Sequence, residues 1–467
     1  MAQAATIFAL SSGHGRAGVS VIRVSGPAAR AVLEQTAPPC PQPRFAALRR
    51  IKSAATGELL DTGLVLWFPA PKSETGEDMA ELHVHGGRAV VYAVLAAIGQ
   101  IAGCRLAEPG EFARRAFENG KIDLTAAEGL ADLIDAETAV QRRQALRQAE
   151  GALGARYQAW RQRLLAAMAL MEAAIDFSDE PDVARDATGK ARGEVQILCA
   201  EIGAHLDDGH RGELIRSGFQ VVLTGAPNVG KSSLLNALAR RDVAIVSEEA
   251  GTTRDVIEVK LDLQGLAILI SDTAGIRTAQ GKVEEEGIRR TFGRAHAADL
   301  VLWLMDATQP FAAPPLELAA EGERLLRVAN KVDLLGSRVP PFLQRVPPFL
   351  QYVMAEDVMA EDVMGEDVIA VSATTGFGLE RLERRISAIA SDRIGEAETP
   401  ALTQVRHRQE LECCKAALSA FLSAAIDEIE LRAEDLRQAA LALGRLTGAV
   451  DVEDVLDQVF GRFCIGK

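Results

Sequence analysis

The 467-residue sequence predicts a multidomain α/β fold, because its texture changes along the chain. Residues 1–121 mix short apolar runs with Gly and Pro, whereas 122–216 and 381–467 carry Ala, Leu and Glu at helical spacing. In residues 217–380, short β-rich runs alternate with helical segments, which is typical of a doubly wound parallel sheet. The simplest architecture is an α+β N-terminal domain followed by a discontinuous helical domain, into which the sheet domain is inserted.

The first two domains are predicted element by element from periodicity. Residues 20–24 and 63–68 are predicted strands, and residues 90–101 are a predicted helix. A helical pattern covers residues 125–176 and follows residues that can cap a helix. The acidic, proline-containing segment 177–186 interrupts this pattern, which then resumes up to the sheet domain.

The inserted domain has short predicted strands that are apolar on both faces, as strands buried between helices are. They are residues 219–224, 266–271, 299–305, 325–329 and 368–371. Residues 338–351 repeat RVPPFLQ, and residues 353–367 repeat VMAED and end in VMGED. This region is predicted to be a surface loop that tolerates insertion, with an interaction segment as the alternative.

Composition excludes several classes of protein. The net charge is −14 and the pI about 5.2, which excludes a protein that binds nucleic acid over its whole surface. Any contact with RNA must therefore be local or supplied by a partner. The six cysteines show no metal-ligand spacing, which favours a reducing compartment. No signal or transit peptide and no apolar run of membrane-span length is evident, so we expect a cytoplasmic protein.

A phosphate-binding loop follows the first strand of the inserted domain. Gly225-Ala-Pro-Asn-Val-Gly230-Lys231-Ser232 stands between a strand and a helix, as such a loop requires. Glycines let backbone N–H groups converge on phosphates, and the helix N-terminus adds a favourable dipole. Lys231 is expected to reach the β- and γ-phosphates, and the Ser232 hydroxyl is expected to ligate Mg²⁺.

Three later motifs also stand at predicted strand ends and predict guanine as the base. Asp272-Thr-Ala-Gly275 offers a carboxylate toward Mg²⁺, and the Asp333 carboxylate of Asn330-Lys331-Val-Asp333 can accept from guanine N1–H and N2. Adenine lacks that donor pair and would leave the carboxylate unpaired. A backbone N–H of Ser372-Ala373 can meet guanine O6. The predicted domain is therefore a Ras-like G domain, and the chain is predicted to hydrolyse GTP to GDP and phosphate.

A further segment, 251–255, reads GTTRD and lies between the phosphate loop and Asp272. Thr253 is our choice for the residue that completes Mg²⁺ coordination when the γ-phosphate is present, as in a nucleotide switch. The predicted GTP-binding residues are Asn228, Val229, Gly230, Lys231, Ser232, Ser233, Ser247, Glu248, Glu249, Ala250, Gly251, Thr252, Thr253, Asp272, Thr273, Ala274, Gly275, Asn330, Lys331, Asp333, Ser372 and Ala373.

The sequence leaves open how the attacking water is activated. Small regulatory GTPases commonly place Gln directly after the glycine of the DxxG motif, but Ile276 stands there. A partner residue, a bound cation or an acid of the stretch 284–286 could replace it. The side-chain oxygen of Asn228 could ligate a monovalent cation that bridges the phosphates.

The whole chain resembles the bacterial tRNA modification GTPase family MnmE, also called TrmE. Besides the nucleotide motifs, the resemblance is carried by Gly15-Arg-Ala-Gly18, Thr75-Gly-Glu-Asp78, Pro109-Gly-Glu-Phe-Ala-Arg-Arg-Ala-Phe117, Lys121-Ile-Asp-Leu124 and Phe463-Cys-Ile-Gly-Lys467. It implies GTP hydrolysis coupled to modification of C5 of the wobble uridine in certain tRNAs. It also implies a hetero-oligomer with the flavin-dependent partner MnmG, which carries the FAD, and a homodimer formed through the N-terminal domains.

The same resemblance assigns roles to residues. The N-terminal domain is expected to bind a tetrahydrofolate one-carbon donor, in its 5,10-methylene or 5-formyl form, through Arg23, Glu81, Lys121 and Lys467. K⁺-stimulated GTP hydrolysis is expected to drive G-domain association, and the K⁺ ligands fall on Asn228, Ser247, Glu249 and Thr252, with Ser247 and Glu249 acting through backbone carbonyls. The catalytic glutamate falls on Glu284. Cys464 is a family feature tied to the modification, and a buried small apolar residue is the alternative interpretation.

Two other functions are weighed against this one. A ribosome-assembly GTPase shares the G domain but usually carries an RNA-binding module and basic surfaces, and none is evident. A membrane-remodelling or transport GTPase is disfavoured by the absence of a spanning segment or a basic amphipathic helix. His83 and His85 are interpreted as structural residues, because no further metal ligands accompany them.

Overall fold

A computed structural model describes residues 5–13, 15–177, 179–208, 210–241, 243–245, 258–272, 293–309, 313–319, 322–335, 368–395, 401–423, 429–450, 453–461 and 463–466. The chain divides into two compact units. Unit 1 comprises Met1–Ile134, Leu146–Gly203 and Gln409–Lys467, and unit 2 comprises Asp135–Ala145 and Ala204–Arg408.

Unit 1 contains a six-stranded sheet in the order β3-β4-β5-β2-β1-β6. Its strands are β1 (Thr6–Leu10), β2 (Ala17–Ser25), β3 (Ala47–Lys52), β4 (Leu59–Phe68), β5 (Met79–Gly86) and β6 (Cys104–Leu106). Neighbours are antiparallel except β1 and β6, which are parallel. Helices α1 (Ala29–Thr36) and α2 (Arg88–Gly99) bury their apolar residues with those of the strands in one core. The two predicted strands and the predicted helix of this region are confirmed.

The remaining helices of unit 1 include α3 (Glu111–Glu118), α4 (Leu124–Ile134) and α6 (Ala152–Asp176). They also include α7 (Pro181–Leu206), α12 (Val405–Ser423), α13 (Ile429–Thr447) and α14 (Glu453–Phe460), and α7 and α12 each run past the division into unit 2. Helix α6 buries one stripe at spacings of three and four residues, which makes it a core helix. The buried residues of this stripe are Leu153, Tyr157, Trp160, Leu164, Ala167, Met171 and Ala174.

The helical pattern of residues 125–176 forms three helices rather than one, with α5 (Ala139–Ala149) in the middle. Thr138 and Gln141 start α5 as a capping box: the Gln141 N–H donates to Thr138 Oγ1 at 3.4 Å, and Gln141 Oε1 accepts from the Thr138 N–H at 3.1 Å. Gly151 separates α5 from α6 with a left-handed φ of 87°. The apolar spacing is continuous over residues 125–176, but these local caps divide the segment into three helices.

Unit 2 contains the predicted doubly wound sheet, in the order β12-β11-β10-β7-β9-β8. Strands β7 (Phe219–Gly225), β9 (Leu266–Asp272), β10 (Leu300–Asp306), β11 (Leu325–Asn330) and β12 (Val368–Ala370) are parallel and match the predicted runs. The edge strand β8 (Glu258–Leu263) is antiparallel to β9 and was not predicted. Its sequence EVKLDL alternates apolar and charged residues, as an edge strand with one solvated face does.

Helices complete unit 2: α8 (Arg211–Ser217), α9 (Lys231–Ala239), the short α10 (Leu316–Ala319) and α11 (Leu379–Ile394). Helix α11 packs Leu382, Ile386 and Ala390 into the same apolar core as the strands, so by its packing it belongs with the sheet. The predicted division at about residue 380 stays a prediction. The multidomain α/β class itself, with a doubly wound sheet domain, is confirmed. Among the residues described, no helix has both the length and the apolar character that crossing a membrane requires.

Candidate nucleotide-binding site

The phosphate-binding loop occupies the turn between β7 and α9, as its sequence predicted. A Cβ on Gly225 would lie 2.3 Å from the Leu304 carbonyl oxygen, and one on Gly230 would lie 2.4 Å from Asn330 Nδ2. Both positions therefore exclude any side chain. Gly230 and Asn228 also adopt left-handed φ angles of 94° and 64°. The loop ends at the N-terminus of α9, where unpaired N–H groups and the helix dipole favour an anion.

Lys231 lies inside this loop. Its side chain is buried, and Nζ donates to the carbonyl oxygens of Gly225 at 3.0 Å and Ala226 at 2.9 Å. Burial lowers the pKa of Lys231, and the nearby carboxylate of Asp272 opposes that shift. A phosphate at this position would replace neutral carbonyl partners with charged oxygens.

Ser232 and Asp272 form an oxygen pair at the ends of α9 and β9. Ser232 Oγ donates to Asp272 Oδ2 at 2.8 Å. Burial raises the pKa of Asp272, while the Ser232 hydrogen bond and the Lys231 charge lower it. Asp272 Oδ1 is buried and accepts no hydrogen bond within the described part of the chain. A hydroxyl beside a carboxylate with one unused oxygen fits the ligand preference of Mg²⁺.

The base-side motif is hydrogen-bonded directly to the phosphate loop. Asn330 is buried; its Nδ2 donates to the Val229 carbonyl at 2.9 Å, and its Oδ1 accepts from the Ala373 N–H at 3.1 Å. Lys331 Nζ donates to the Asn228 carbonyl at 2.6 Å. All four predicted motifs, of which the one that begins at Asp272 is represented by that residue, therefore meet at the carboxyl ends of the strands.

The two residues expected to contact the base lie in different environments. Asp333 is exposed at the start of a 3₁₀ helix (Val332–Leu335), where its carboxylate can accept from guanine. Ser372 is fully buried, and its N–H donates to the Phe377 carbonyl at 2.9 Å. The Ala373 N–H is directed to Asn330 Oδ1, so both backbone donors of this motif have partners within the protein.

Asp306 is a site residue that the sequence did not single out. It ends β10, is only 9 % exposed, and its Oδ2 accepts from Lys331 Nζ at 2.7 Å. Its Oδ1 accepts from the Thr308 N–H at 2.9 Å and Oγ1 at 2.6 Å. Burial acts to raise the pKa of Asp306, but these hydrogen bonds and the Lys331 charge outweigh it and lower the pKa. The sequence feature that could have identified Asp306 is its position as an acidic residue at the end of an apolar run.

Several predicted residues lie outside the described residues, and their roles stay predictions. They are Ser247, Glu248, Glu249, Ala250, Gly251, Thr252, Thr253, Thr273, Ala274, Gly275, Ile276, Glu284, Lys467 and the repeat-bearing stretch 338–367.

A second cluster of predicted residues lies on the sheet of unit 1. Arg23 of β2 and Glu81 of β5 are directly opposite in register, and Arg23 Nη2 lies 3.2 Å from Glu81 Oε1. Lys121 lies beside the loop that joins β4 to β5: a Cβ on Gly76 would come within 3.2 Å of Lys121 Cε. Arg23 also contacts Glu74 of that loop, at 2.9 Å.

The C-terminal tail is attached to the same sheet. Ile465 forms an antiparallel bridge with Pro109, and Ser11 Oγ donates to the Gly466 carbonyl at 2.7 Å. A Cβ on Gly466 would lie 2.2 Å from the carbonyl oxygen of Leu10, the last residue of β1. Cys464 is exposed, so its interpretation as a buried apolar residue is wrong.

The two histidines of β5 have carboxylate partners. His83 Nε2 lies 3.2 Å from Glu81 Oε2, and His85 Nδ1 lies 2.8 Å from Asp61 Oδ1. Within the described ranges, no group of three or more His, Cys, Asp or Glu residues could hold a metal ion. The structural role of His83 and His85 stays a prediction.

The doubly wound sheet with these loops at its strand ends defines a G domain, the nucleotide-binding domain of GTPases. Family profiles match most of the chain: the MnmE helical domain matches residues 124–464, and the N-terminus of the GTP-binding protein TrmE matches residues 6–121. The chain therefore belongs to the MnmE family, and it is a GTP hydrolase.

Individual relatives agree. A protein named tRNA modification GTPase MnmE from Parvibaculum lavamentivorans is 51 % identical, covering 99 % of this chain and 100 % of the relative. The protein of the same name from Maricaulis maris is 50 % identical, covering 99 % of each. The solved G domain of the T. maritima FeoB iron transporter is 25 % identical over 37 % of this chain and 98 % of its own, with a TM-score of 0.25, too low to add to the assignment.

Proposed function

We propose that this GTPase acts in tRNA modification, at C5 of the wobble uridine of certain tRNAs, together with the flavin-dependent partner MnmG and a tetrahydrofolate one-carbon donor. The observation that carries the proposal is the second cluster, on the sheet of unit 1. Arg23 and Glu81 are paired there, Lys121 lies beside the adjoining loop, and the C-terminal tail is attached to β1. An arginine and a lysine suit the carboxylates of a folate glutamate. Glu81 fixes the Arg23 guanidinium for that contact, because Arg23 Nη2 lies 3.2 Å from Glu81 Oε1.

The G domain supplies the nucleotide chemistry. Lys231 would bind the β- and γ-phosphates, Ser232 and Thr253 would ligate Mg²⁺, and the second oxygen of Asp272 would be available to the metal or its water. When bound there, Mg²⁺ would supply positive charge against the charge that develops on the phosphates. Asp333 reads the guanine edge. Support comes from the buried Lys231 ammonium and from the buried Asp272 oxygen that lacks a hydrogen bond within the described ranges.

Hydrolysis is proposed to use K⁺ and Glu284. Asn228, Ser247, Glu249 and Thr252 are the proposed K⁺ ligands, and Glu284 positions or activates the attacking water. The left-handed φ of 64° at Asn228 and the bond from Lys331 Nζ to its backbone carbonyl fix this residue in the phosphate loop, where its side-chain amide oxygen is the proposed ligand. A monovalent cation there would offset negative charge in the transition state, as an arginine finger does.

The proposed assembly is a cytoplasmic homodimer formed through the N-terminal domains, which joins MnmG in a hetero-oligomer and acts on tRNA. The net charge of −14 disfavours tight binding of tRNA by the whole surface. The partner is therefore expected to supply much of the affinity for tRNA.

Titration of the purified chain with 5-formyltetrahydrofolate tests this proposal, with Arg23→Ala and Lys121→Ala as variants. Binding by the wild type that is weakened in both variants supports the folate site and the modification role. A chain that hydrolyses GTP but binds no folate would favour the ribosome-assembly alternative.

A further inference from the structure

Arg23 is held between two carboxylates. Its Nε and Nη2 donate to Glu81 Oε1 at 3.3 and 3.2 Å, and its Nη1 lies 3.0 and 2.9 Å from the two carboxylate oxygens of Glu74. The Arg23 side chain is only 17 % exposed, and its guanidinium carbon lies 6.0 Å from the centre of the Phe112 ring. Both edges of the guanidinium are therefore already occupied by acids of this chain.

The two acids differ in how firmly they are fixed. Glu81 lies in β5, directly opposite Arg23, is 17 % exposed, and its other oxygen lies 3.2 Å from His83 Nε2. Glu74 lies in the loop between β4 and β5, and its side chain is 50 % exposed. Glu81 is thus a fixed partner of Arg23, whereas Glu74 covers the edge that a ligand can approach.

The loop that carries Glu74 is held by contacts other than those of Glu74 itself. Asn119 Nδ2 donates to the Thr75 carbonyl at 2.8 Å. Arg115 Nη1 donates to Glu77 Oε2 at 2.9 Å, and the Arg115 side chain is only 10 % exposed. Release of Arg23 by Glu74 therefore requires rotation of one exposed side chain and no movement of the loop backbone.

We propose that Glu74 is a built-in competitor for the ligand: its carboxylate occupies the outward edge of Arg23, and a carboxylate of the bound molecule displaces it. The inference rests on the proposed folate site, because the glutamate of tetrahydrofolate carries the competing group. While the Glu74 carboxylate lies against Arg23, it offsets the guanidinium charge and opposes an incoming anion at that edge. Once Glu74 has turned away, the edge of Arg23 can form the same charge-assisted hydrogen bonds with the ligand.

The test is the affinity of the full-length chain for 5-formyltetrahydrofolate at low ionic strength, measured by isothermal titration. Glu74→Gln removes the competing charge but keeps the shape of the side chain. Because an exposed ion pair must no longer be broken, binding is expected to tighten roughly two- to fivefold. Glu81→Gln is expected to weaken binding, since Glu81 is a fixed member of the site.

Glu34→Gln is the matched control. Glu34 is also a 50 % exposed partner of an arginine, Arg30, at 2.8 Å, and its loss changes the net charge of the chain equally. Its affinity for folate should equal that of the wild type. The gain in Glu74→Gln should shrink as salt is raised, and a tetrahydropterin, which carries no carboxylate, should show no gain.

The outcomes separate this inference from the function on which it rests. Tighter binding of folate by Glu74→Gln alone, with no such gain for the tetrahydropterin, supports the competitor role, because mere damage to the domain would not raise affinity. Wild-type binding with an unchanged or weaker Glu74→Gln overturns the competitor role and leaves the folate site standing. An equal gain in Glu34→Gln also overturns it. No folate binding by the wild type would remove the folate site and the inference with it.

Discussion

Replacement of Asp306 by asparagine tests whether the end of β10 positions the nucleotide loops. Asp306 accepts from Lys331 Nζ at 2.7 Å, and the same ammonium donates to the Asn228 carbonyl at 2.6 Å. Asp306→Asn keeps a side chain of the same size but removes the charge that holds Lys331. The variant should therefore loosen the contact between the base-side motif and the phosphate loop.

The expected loss of nucleotide-binding free energy in Asp306→Asn can be estimated from the burial of this ion pair. A hydrogen bond to a charged group contributes about 1.5–3 kcal/mol. The Lys331 side chain is 30 % exposed, so solvent screens part of this interaction. The expected loss is about 1–2 kcal/mol, or roughly five- to thirtyfold in the dissociation constant for GDP. Titration with a fluorescent guanine nucleotide measures it.

Asp299→Asn is the matched control, because Asp299 directly precedes β10, at the strand end opposite Asp306. It accepts from the Gln220 N–H at 2.8 Å, and burial raises its pKa. This variant also removes a partly buried carboxylate from the strand, but away from the nucleotide. Wild-type affinity in Asp306→Asn, or an equal loss in Asp299→Asn, would refute the positioning role.

The pH dependence of the Asp306 effect has a definite sign. The folded-state pKa of Asp306 is lowered, so its contribution to stability is present above the ordinary pKa of an aspartate and is lost as pH falls through the lowered value. The stability difference between the wild type and Asp306→Asn should therefore be largest near neutral pH and should close in acid. Urea unfolding at a series of pH values measures this difference.

Three further outcomes are expected. Asp333→Asn should weaken GTP binding and improve xanthosine triphosphate binding, because the amide mispairs with guanine N1–H; unchanged base preference in a competition assay would remove Asp333 from base recognition. GTP turnover should rise strongly in KCl relative to NaCl at equal ionic strength, and Asn228→Ala should abolish most of that rise; equal rates of the wild type in both salts would count against a cation-assisted mechanism. Glu284→Ala should retain nucleotide affinity and lose most of its turnover, and near-wild-type single-turnover hydrolysis would exclude Glu284 from catalysis.

The phosphate loop and the buried parallel strands could be predicted from the sequence, because each depends on the residue types of one short segment. The phosphate loop was predictable because its glycines are required by close approaches, 2.3 Å at Gly225 and 2.4 Å at Gly230 for a Cβ placed there. The buried parallel strands were predictable because both of their faces are apolar. Strand β8 was missed since its alternating charges are also compatible with an exposed loop.

Contacts between distant segments could not be predicted in the same way. The bonds from Asn330 to Val229 and from Lys331 to Asn228 join residues about 100 positions apart. Nothing in either motif specifies the other as its partner. Asp306 was missed for the same reason, because its role depends on Lys331, which directly follows the neighbouring strand β11.

Each candidate site contains a basic side chain that donates hydrogen bonds to acceptors of this chain. Lys231 donates to two neutral carbonyls, whereas Arg23 is paired with the exposed carboxylate of Glu74. A triphosphate replaces uncharged partners and meets no competing charge from those carbonyls, which favours tight binding. At the proposed folate site, a carboxylate of the ligand would have to displace an equal charge, so the net gain in binding free energy would be small. The same chemistry therefore predicts a tightly held nucleotide in the G domain and a weakly held, readily exchanged folate on the sheet of unit 1.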